Sequence, residues 1–410
     1  MSAKSRIVGG LFVIALTAVA CGGPAGQSTG ADIVIGVPMS ITGAQAKEGA
    51  LAKQGYDLWL DWINNSQGGI TVNNVKHKVK LVYKDDQSKP DISAQNTQSL
   101  ITDEKAQFLL GPYGSATTAS DAVIADKNGI PMVEANGAAQ AIFNKGYKYV
   151  FAVLSPSDKY AGVILDFAAT LSPRPKTMAM LSADDNFSLE VAKAAVDQAP
   201  SKGFQVVLNE RYPNGSTDVS GLVAKAKAAN PDMVLNSGHL AEALAINKAA
   251  KDLKVDAKLF AYTVGPSTPD FVSALGKDAN YVFSSSQWTP QVTYKPAFFL
   301  SVQDYVAKYK QQYSSSNDPD YHVAESTAAC LALQKAIENA GSLNPDKVRD
   351  ALAALDVMTF FGEIKFDSRG VNVTKPMVVE QIQDGKHRTV YPGDIANAKP
   401  QYPTPSWSQR

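Results

Sequence analysis

The stretch Gly111-Pro112-Tyr113-Gly114-Ser115-Ala116-Thr117 joins an apolar triplet, Phe108-Leu109-Leu110, to a helical pattern running from Ser115 to Asp126. Glycines in such a strand-to-helix turn let the backbone approach a ligand closely. The first helical turn leaves N–H groups unpaired and carries partial positive charge, which suits a carboxylate or other anion-like oxygen. Ser115 reads two ways, as the cap of that helix or as a ligand donor. Asn136 and Gly137 follow a second apolar triplet, Pro131-Met132-Val133, and offer further hydrogen bonds. The carboxylate pairs Asp85-Asp86 and Asp184-Asp185 invite an acid–base reading. Adjacent residues at a strand end seldom point together, however. The chain contains no GxSxG, no GxxxxGK[ST] and no HExxH, and its serines, histidines and acids form no clear triad grouping.

The two cysteines differ in setting. Lys4 and Arg6 precede an apolar run, Ile7 to Ala20, which ends in Ala18-Val19-Ala20-Cys21. A charged start, a short apolar core and small residues at its end read as a secretory signal over 1–20. Cys21 at the cleavage point resembles a bacterial lipobox, whose thiol is acylated and becomes the new N-terminus. Ala18 stands where that motif usually has Leu, and simple cleavage after Ala-x-Ala is the other reading. Residues 21–31, rich in Gly, Ser and Gln, then form a flexible tether. With Cys21 acylated, Cys330 has no disulfide partner. Cys330 lies in the small, apolar run Thr327–Leu333, as a buried and unreactive thiol would. Four scattered histidines show no zinc-like spacing, and neither a metal nor another cofactor is expected.

Composition sets the class. A chain of 410 residues exceeds one typical domain, and 45% apolar with 19% charged residues suits a globular protein. Lys+Arg and Asp+Glu are both 39, and no basic stripe is present, so no nucleic-acid partner is expected. No later run approaches the length of a membrane-spanning helix.

Strand-like and helix-like segments alternate. Strands are expected at Ile33–Val37, Val79–Tyr83, Phe108–Leu110 and Pro131–Val133, with helices at Gly49–Asn65, Asp91–Thr102 and Ser115–Asp126. A second series has strands at Thr177–Leu181, Phe204–Leu208, Met233–Asn236 and Leu259–Phe260. Helices at Ser157–Thr170, Ser188–Ala199, Val219–Ala228 and Leu240–Leu253 alternate with them. This is the pattern of parallel sheets covered by helices on both faces. The last third departs from it: helices at Pro296–Gln312, His322–Ala340 and Asp346–Leu355, then strands at Phe360–Phe366, Met377–Gln383 and Thr389–Tyr391. The economical arrangement returns the helices to the first block and sends the strands to the second. The chain would then cross between two Rossmann-like lobes several times, making a hinge. Lobe one is expected over 32–152 plus 285–358, lobe two over 153–284 plus 359–392, with a tail over 393–410.

Four motifs, in order and at matching spacing, resemble the leucine/isoleucine/valine-binding proteins of the type I periplasmic-binding fold. They are Thr42-Gly43-x-x-Ala46-x-x-Gly49-x-x-x-x-x-Gly55; Asp85-Asp86-Gln87-Ser88-x-Pro90; Gly111 to Thr117 followed by Gly129-Ile130-Pro131; and Phe361-Gly362-Glu363-Ile364-Lys365-Phe366-Asp367-x-x-Gly370. The resemblance spans about Asp32 to Tyr391. It implies a ligand held beyond the carboxyl ends of the strands. By position it implies contacts from Ser115, Tyr113, Gly114, Asn136, Gly137 and Glu48 on lobe one, and from Phe187, His239 and Tyr262 on lobe two. Trp288, like Tyr113, Phe187 and Tyr262, lies at a strand end or crossover; for each, cleft lining and core packing are both open. Two departures bear on the ligand. Ala138 stands where amino-acid binders carry Thr, and the Tyr262-Thr263 region lacks their ammonium-binding acid. Glu134 is the nearest carboxylate and has a structural reading too.

The expectation is therefore a lipid-anchored, monomeric, non-catalytic protein on the extracytoplasmic face. It would capture an amino acid, amide or small aromatic acid by closure of two lobes and serve an ABC permease. A ligand sensor reporting to a receptor and an extracytoplasmic enzyme are the alternatives. Neighbouring permease genes would favour transport over sensing, and turnover of a bound ligand would favour the enzyme.

Overall fold

A computed structural model describes Met1 and residues 29–410; Cys21, the expected signal segment and most of the tether lie outside the described residues. The first lobe begins with β1 (Ile33–Met39), whose alternate residues Ile33, Ile35, Val37 and Met39 are fully buried. Helix α1 (Ala46–Asp61) follows. Leu51, Ala52, Gly55, Tyr56, Leu58 and Trp59 form its buried stripe at the helical period. A hairpin of β2 (Ile70–Val72) and β3 (Val75–His77) leads to β4 (Val79–Asp85). Then α2 (Pro90–Thr102), β5 (Phe108–Leu110), α3 (Ser115–Asn128), β6 (Met132–Glu134), the short α4 (Gln140–Phe143) and β7 (Val150–Ala152) complete the block. Its parallel sheet has the order β4-β1-β5-β6-β7.

The second lobe runs through α5 (Asp158–Thr170), β8 (Thr177–Ala183), α6 (Asn186–Gln198), β9 (Gln205–Tyr212), α7 (Ser220–Ala229), β10 (Met233–Ser237), α8 (Leu240–Asp252), β11 (Leu259–Tyr262), α9 (Pro269–Leu275) and β12 (Val282–Ser286). Helices α10 (Val302–Tyr313), α11 (Tyr321–Ala340) and α12 (Pro345–Ala353) then return to the first lobe, where α11 packs along α1. A hairpin of β13 (Asp356–Thr359) and β14 (Gly362–Lys365) precedes β15 (Val378–Gln383) and β16 (Lys386–Tyr391). The second sheet has the order β16-β15-β12-β11-β10-β8-β9 and is parallel except for β15 and β16.

Two sequence expectations change, and the tail finds a place. The segment expected as one strand at Phe360–Phe366 is part of the β13–β14 hairpin. Its side chains Val357, Phe360, Phe361, Ile364 and Phe366 join the core of the first lobe rather than the second sheet. Pro296–Leu300 is not helical; α10 starts after Ser301, whose hydroxyl accepts the Asp304 N–H. The tail over 393–410 packs on the second lobe, where Trp407 Nε1 donates to the Val255 carbonyl and the Arg410 guanidinium lies 3.7 Å from the Trp407 ring centre.

The chain crosses between the lobes near Ser155, Gln287 and Lys375, and these residues bind one another. Ser155 N–H donates to Gln287 Oε1 (3.0 Å), Gln287 Nε2 donates to the Ser155 carbonyl (3.0 Å), and Ser155 Oγ donates to the Lys375 carbonyl (2.8 Å). Lys375 Nζ donates to the Gln287 carbonyl and sits 4.0 Å from the centre of the Phe361 ring. The hinge is a bonded cluster of three strands of chain, as several crossings require.

Candidate functional site

The carboxyl ends of both sheets face one cleft. At β5, Gly111 lies so close to Glu134 that a Cβ there would stand 1.9 Å from its Oε2. Gly114 turns the chain with φ of 95°, a conformation that costs other residues strain. Tyr113 pairs with Asn136 in an isolated bridge, which sets the ends of β5 and β6 side by side. Ser115 opens α3 without capping it; its Oγ accepts the Ala139 N–H (3.1 Å) and keeps its own proton for another acceptor.

Glu134 stands behind this corner. Its Oε1 accepts the N–H groups of Asn136 (2.6 Å) and Gly137 (2.9 Å), and its Oε2 accepts the Thr118 hydroxyl (2.9 Å). Burial pushes this carboxyl up to about 7 against the pull of those hydrogen bonds. Glu134 is thus a support for the corner. Gly137 has its N–H committed to Glu134 and does not line the cavity.

The lobes touch across the cleft. Glu48 is buried, and its Oε1 accepts the Leu240 N–H at the first turn of α8 (2.9 Å). Glu190 of α6 accepts the N–H groups of Gln140 (2.6 Å) and Ala141 (2.9 Å). Each carboxylate meets free N–H groups at a helix start on the opposite lobe. Glu48 therefore sits in the lobe-to-lobe seam rather than at a cavity wall. His239 joins the same seam: its Nδ1 lies 3.2 Å from Tyr113 Oη and its Nε2 3.5 Å from Asp185 Oδ2. Burial pulls the imidazole down, but the carboxylates of Asp185, Glu242 and Glu48 outweigh it and raise the group to about 9.

Between these contacts lies a small, closed-down cavity of about 10 Å³, bordered by Tyr113, Gly114, Ser115, Asn136 and Ala138 of the first lobe and by Tyr160, Phe187, His239 and Val264 of the second. That is about the room of a single water and far below the usual range of small-molecule pockets, about 300–1,000 Å³, so the lobes must part before a ligand enters. Tyr321, His322 and Glu325, from the first turns of α11, complete the wall. Aromatic rings close on one another here. Phe187 meets Tyr160 edge-on at 5.0 Å, Tyr113 lies 5.4 Å from His322, and Tyr321 stacks on His322 at 4.0 Å.

Six expected contacts thus meet at one cavity: Tyr113, Gly114, Ser115, Asn136, Phe187 and His239. Tyr262 and Trp288 do not. Tyr262 turns from β11 into the second-lobe core, edge-on to Phe271, with its hydroxyl donating to Asn247 (3.3 Å). Trp288 is packed against Tyr305 and Phe360 in the first-lobe core, and its Nε1 donates to the Phe360 carbonyl (3.0 Å). Strand-end aromatics can face either side of a sheet, and here the apolar side won. Tyr160, Tyr321, His322 and Glu325 were missed. The available signal was polar and charged residues inside an otherwise small, apolar helical run, Tyr321 to Ala340. Cys330 of the same helix is buried, and burial pushes its thiol well up, as an inert core cysteine requires. Among the described residues, no cluster of metal-ligating side chains occurs.

Two α/β lobes, three bonded crossings and a cavity at the carboxyl ends of both sheets define a two-lobed solute-binding protein. The chain matches the periplasmic binding protein family over residues 32–386, and it belongs to that family, one of extracytoplasmic binding proteins. It is 25% identical over 405 residues to a Leu/Ile/Val-binding protein homolog 8 of Brucella suis, covering 95% of this chain and 98% of that one. Its fold is similar to that of the leucine binding protein LivK of Thermotoga maritima, with a TM-score of 0.78, 22% identity and coverage of 87% and 97% of the two chains. It is also similar to an ABC-transporter solute binding protein of R. palustris solved with benzoate, with a TM-score of 0.74, 18% identity and coverage of 92% and 97%.

Proposed function

We propose that the chain captures one small polar molecule in the cavity between its lobes and presents the closed form to an ABC permease. The observation that carries this reading is the cavity itself, walled from both lobes at the carboxyl ends of both sheets. Ligand would meet Ser115, Gly114, Tyr113 and Asn136 on the first lobe. Phe187 and His239 would then close over it, and the Glu48 and Glu190 contacts would hold the lobes together. Closure removes water and strengthens each polar contact in the cavity.

Capture without turnover is the reading the side chains support. Ser115 Oγ bonds the Ala139 N–H, both nitrogens of His239 are engaged by Tyr113 and Asp185, and among the described residues no serine hydroxyl is bonded to an imidazole, that of His322 included. A lipid on Cys21 would keep a monomeric protein at the membrane beside its permease. The test is mass spectrometry of small molecules released on denaturing the purified protein, followed by titration calorimetry with the compound found. A protein that releases nothing and binds no metabolite in a broad panel would sink the proposal.

A further inference from the structure

Among the described residues, three that line the cavity each bury a polar atom with no hydrogen-bond partner: Asn136 Oδ1, His322 Nε2 and Glu325 Oε2. Their residues are buried, with only 8%, 1% and 1% of their surface exposed. A buried polar atom left unpaired is costly, so three around one cavity point to a ligand that pairs them. Two of the three are oxygens and the third is an imidazole nitrogen. Asn136 Nδ2 donates to Ser326 Oγ (2.9 Å), which orients the amide and leaves Oδ1 as an acceptor. His322 Nδ1 lies 2.7 Å from Asp320 Oδ2, which orients the ring and leaves Nε2 without a partner. Glu325 as a carboxylate is an acceptor only. Among the described residues no Lys or Arg borders the cavity, whereas aromatic faces from Tyr113, Tyr160, Phe187 and Tyr321 do. Acceptors inside an aromatic box suit a cation rich in N–H groups.

Building on the capture reading above, we propose that Glu325, with Asn136 and His322, is the specificity-determining grip for an ammonium or amidinium group of the ligand. This group takes the place of the acid that lobe two lacks near Tyr262. The polar grips then all lie on lobe one: Glu325, His322 and Asn136 for the cationic end, and the Ser115 hydroxyl with the α3 N-terminus for an acceptor end. Lobe two contributes Phe187, Tyr160, His239 and Val264 as a cover. The ligand can therefore be held by open lobe one before closure. Burial pushes the Glu325 carboxyl well up, with Lys375 pulling it down and Asp320 and Glu134 pushing further up. A bound cation supplies the charge that lets it ionise. A small aromatic acid without N–H groups leaves Asn136 Oδ1 and the Glu325 carboxylate unpaired and is rejected.

The test uses the purified protein, unfolded and refolded to remove any retained compound. Titration calorimetry is run with L-leucine, 4-aminobutyrate and benzamidine as cation-bearing probes, acetamide as a neutral amide, and benzoate as an acid without N–H groups. The expected result is saturable binding confined to one or more N–H probes, strongest for a cation. Glu325→Gln should weaken the best cationic probe about tenfold or more, the size of one charge-assisted hydrogen bond. The same variant should melt no lower than the parent, since it removes a buried carboxyl. His322→Phe should weaken the same probe and serves as the second variant if Glu325→Gln does not fold. Benzoate as the tightest probe, or cation binding unchanged in both variants, overturns the proposal while leaving capture intact. Binding of no probe, with no compound released from the protein as purified, overturns the capture reading and this inference with it.

Discussion

Replacing His239 by Gln should change the pH dependence of stability in a defined window. In the folded chain the imidazole is raised from 6.5 to about 9 by the surrounding carboxylates, led by Asp185. A histidine with a raised folded value binds more protons folded than unfolded, so its contribution is complete below about pH 6.5 and is lost as pH rises through about 9. The difference between about 9 and 6.5 corresponds to about 3–4 kcal/mol at ~1.4 kcal/mol per pH unit. The residue is only 6% exposed, so solvent screening takes little from that figure. Other groups titrate nearby: Glu134 at about 7, Glu380 at about 8 and Lys375 at about 7. The quantity to measure is therefore the difference between parent and variant. Urea unfolding of both proteins, stripped of ligand, at pH 6, 7.5 and 9 gives that difference. The parent's advantage over His239→Gln should shrink by about 2–3 kcal/mol from pH 6 to pH 9. A gap constant with pH would show that the imidazole carries no linked charge, and the Asp185–His239–Tyr113 seam would have to be rewritten as neutral hydrogen bonds.

Ser115→Ala should weaken ligand binding about tenfold or more, while Tyr262→Phe, whose ring lies in the core, should leave it within about twofold; calorimetry with the identified ligand checks both. Gly111→Ala drives a methyl into Glu134 and should lower stability by about 1–3 kcal/mol or more, read from urea unfolding. Radiolabelled palmitate should enter the parent in cells and be absent from Cys21→Ser; equal labelling would remove the anchor.

The alternation of apolar strands with amphipathic helices determined much of the architecture, because a period of two or 3.6 is a local property of the chain. The strand Phe108–Leu110 and the helix starting at Ser115 form where periodicity places them. The turn at Tyr113-Gly114-Ser115 was legible for the same reason: a positive φ and a helix start are demands made on neighbouring residues. Helix α11 shows the opposite case. Its Tyr321 to Ala340 pattern said helix, but His322 and Glu325 acquired their place only because α11 packs beside α1 and projects its first turn toward Asn136, nearly 190 positions earlier in sequence. Trp288 and Tyr262 were ambiguous between cleft and core until the packing of Phe360 and Phe271 settled them. The β13–β14 hairpin likewise went to the lobe that could bury Phe360 and Phe361. Local pattern fixes which backbone each segment adopts, while the assignment of side chains to a cavity or a core depends on distant partners, and only the closed tertiary structure supplies those.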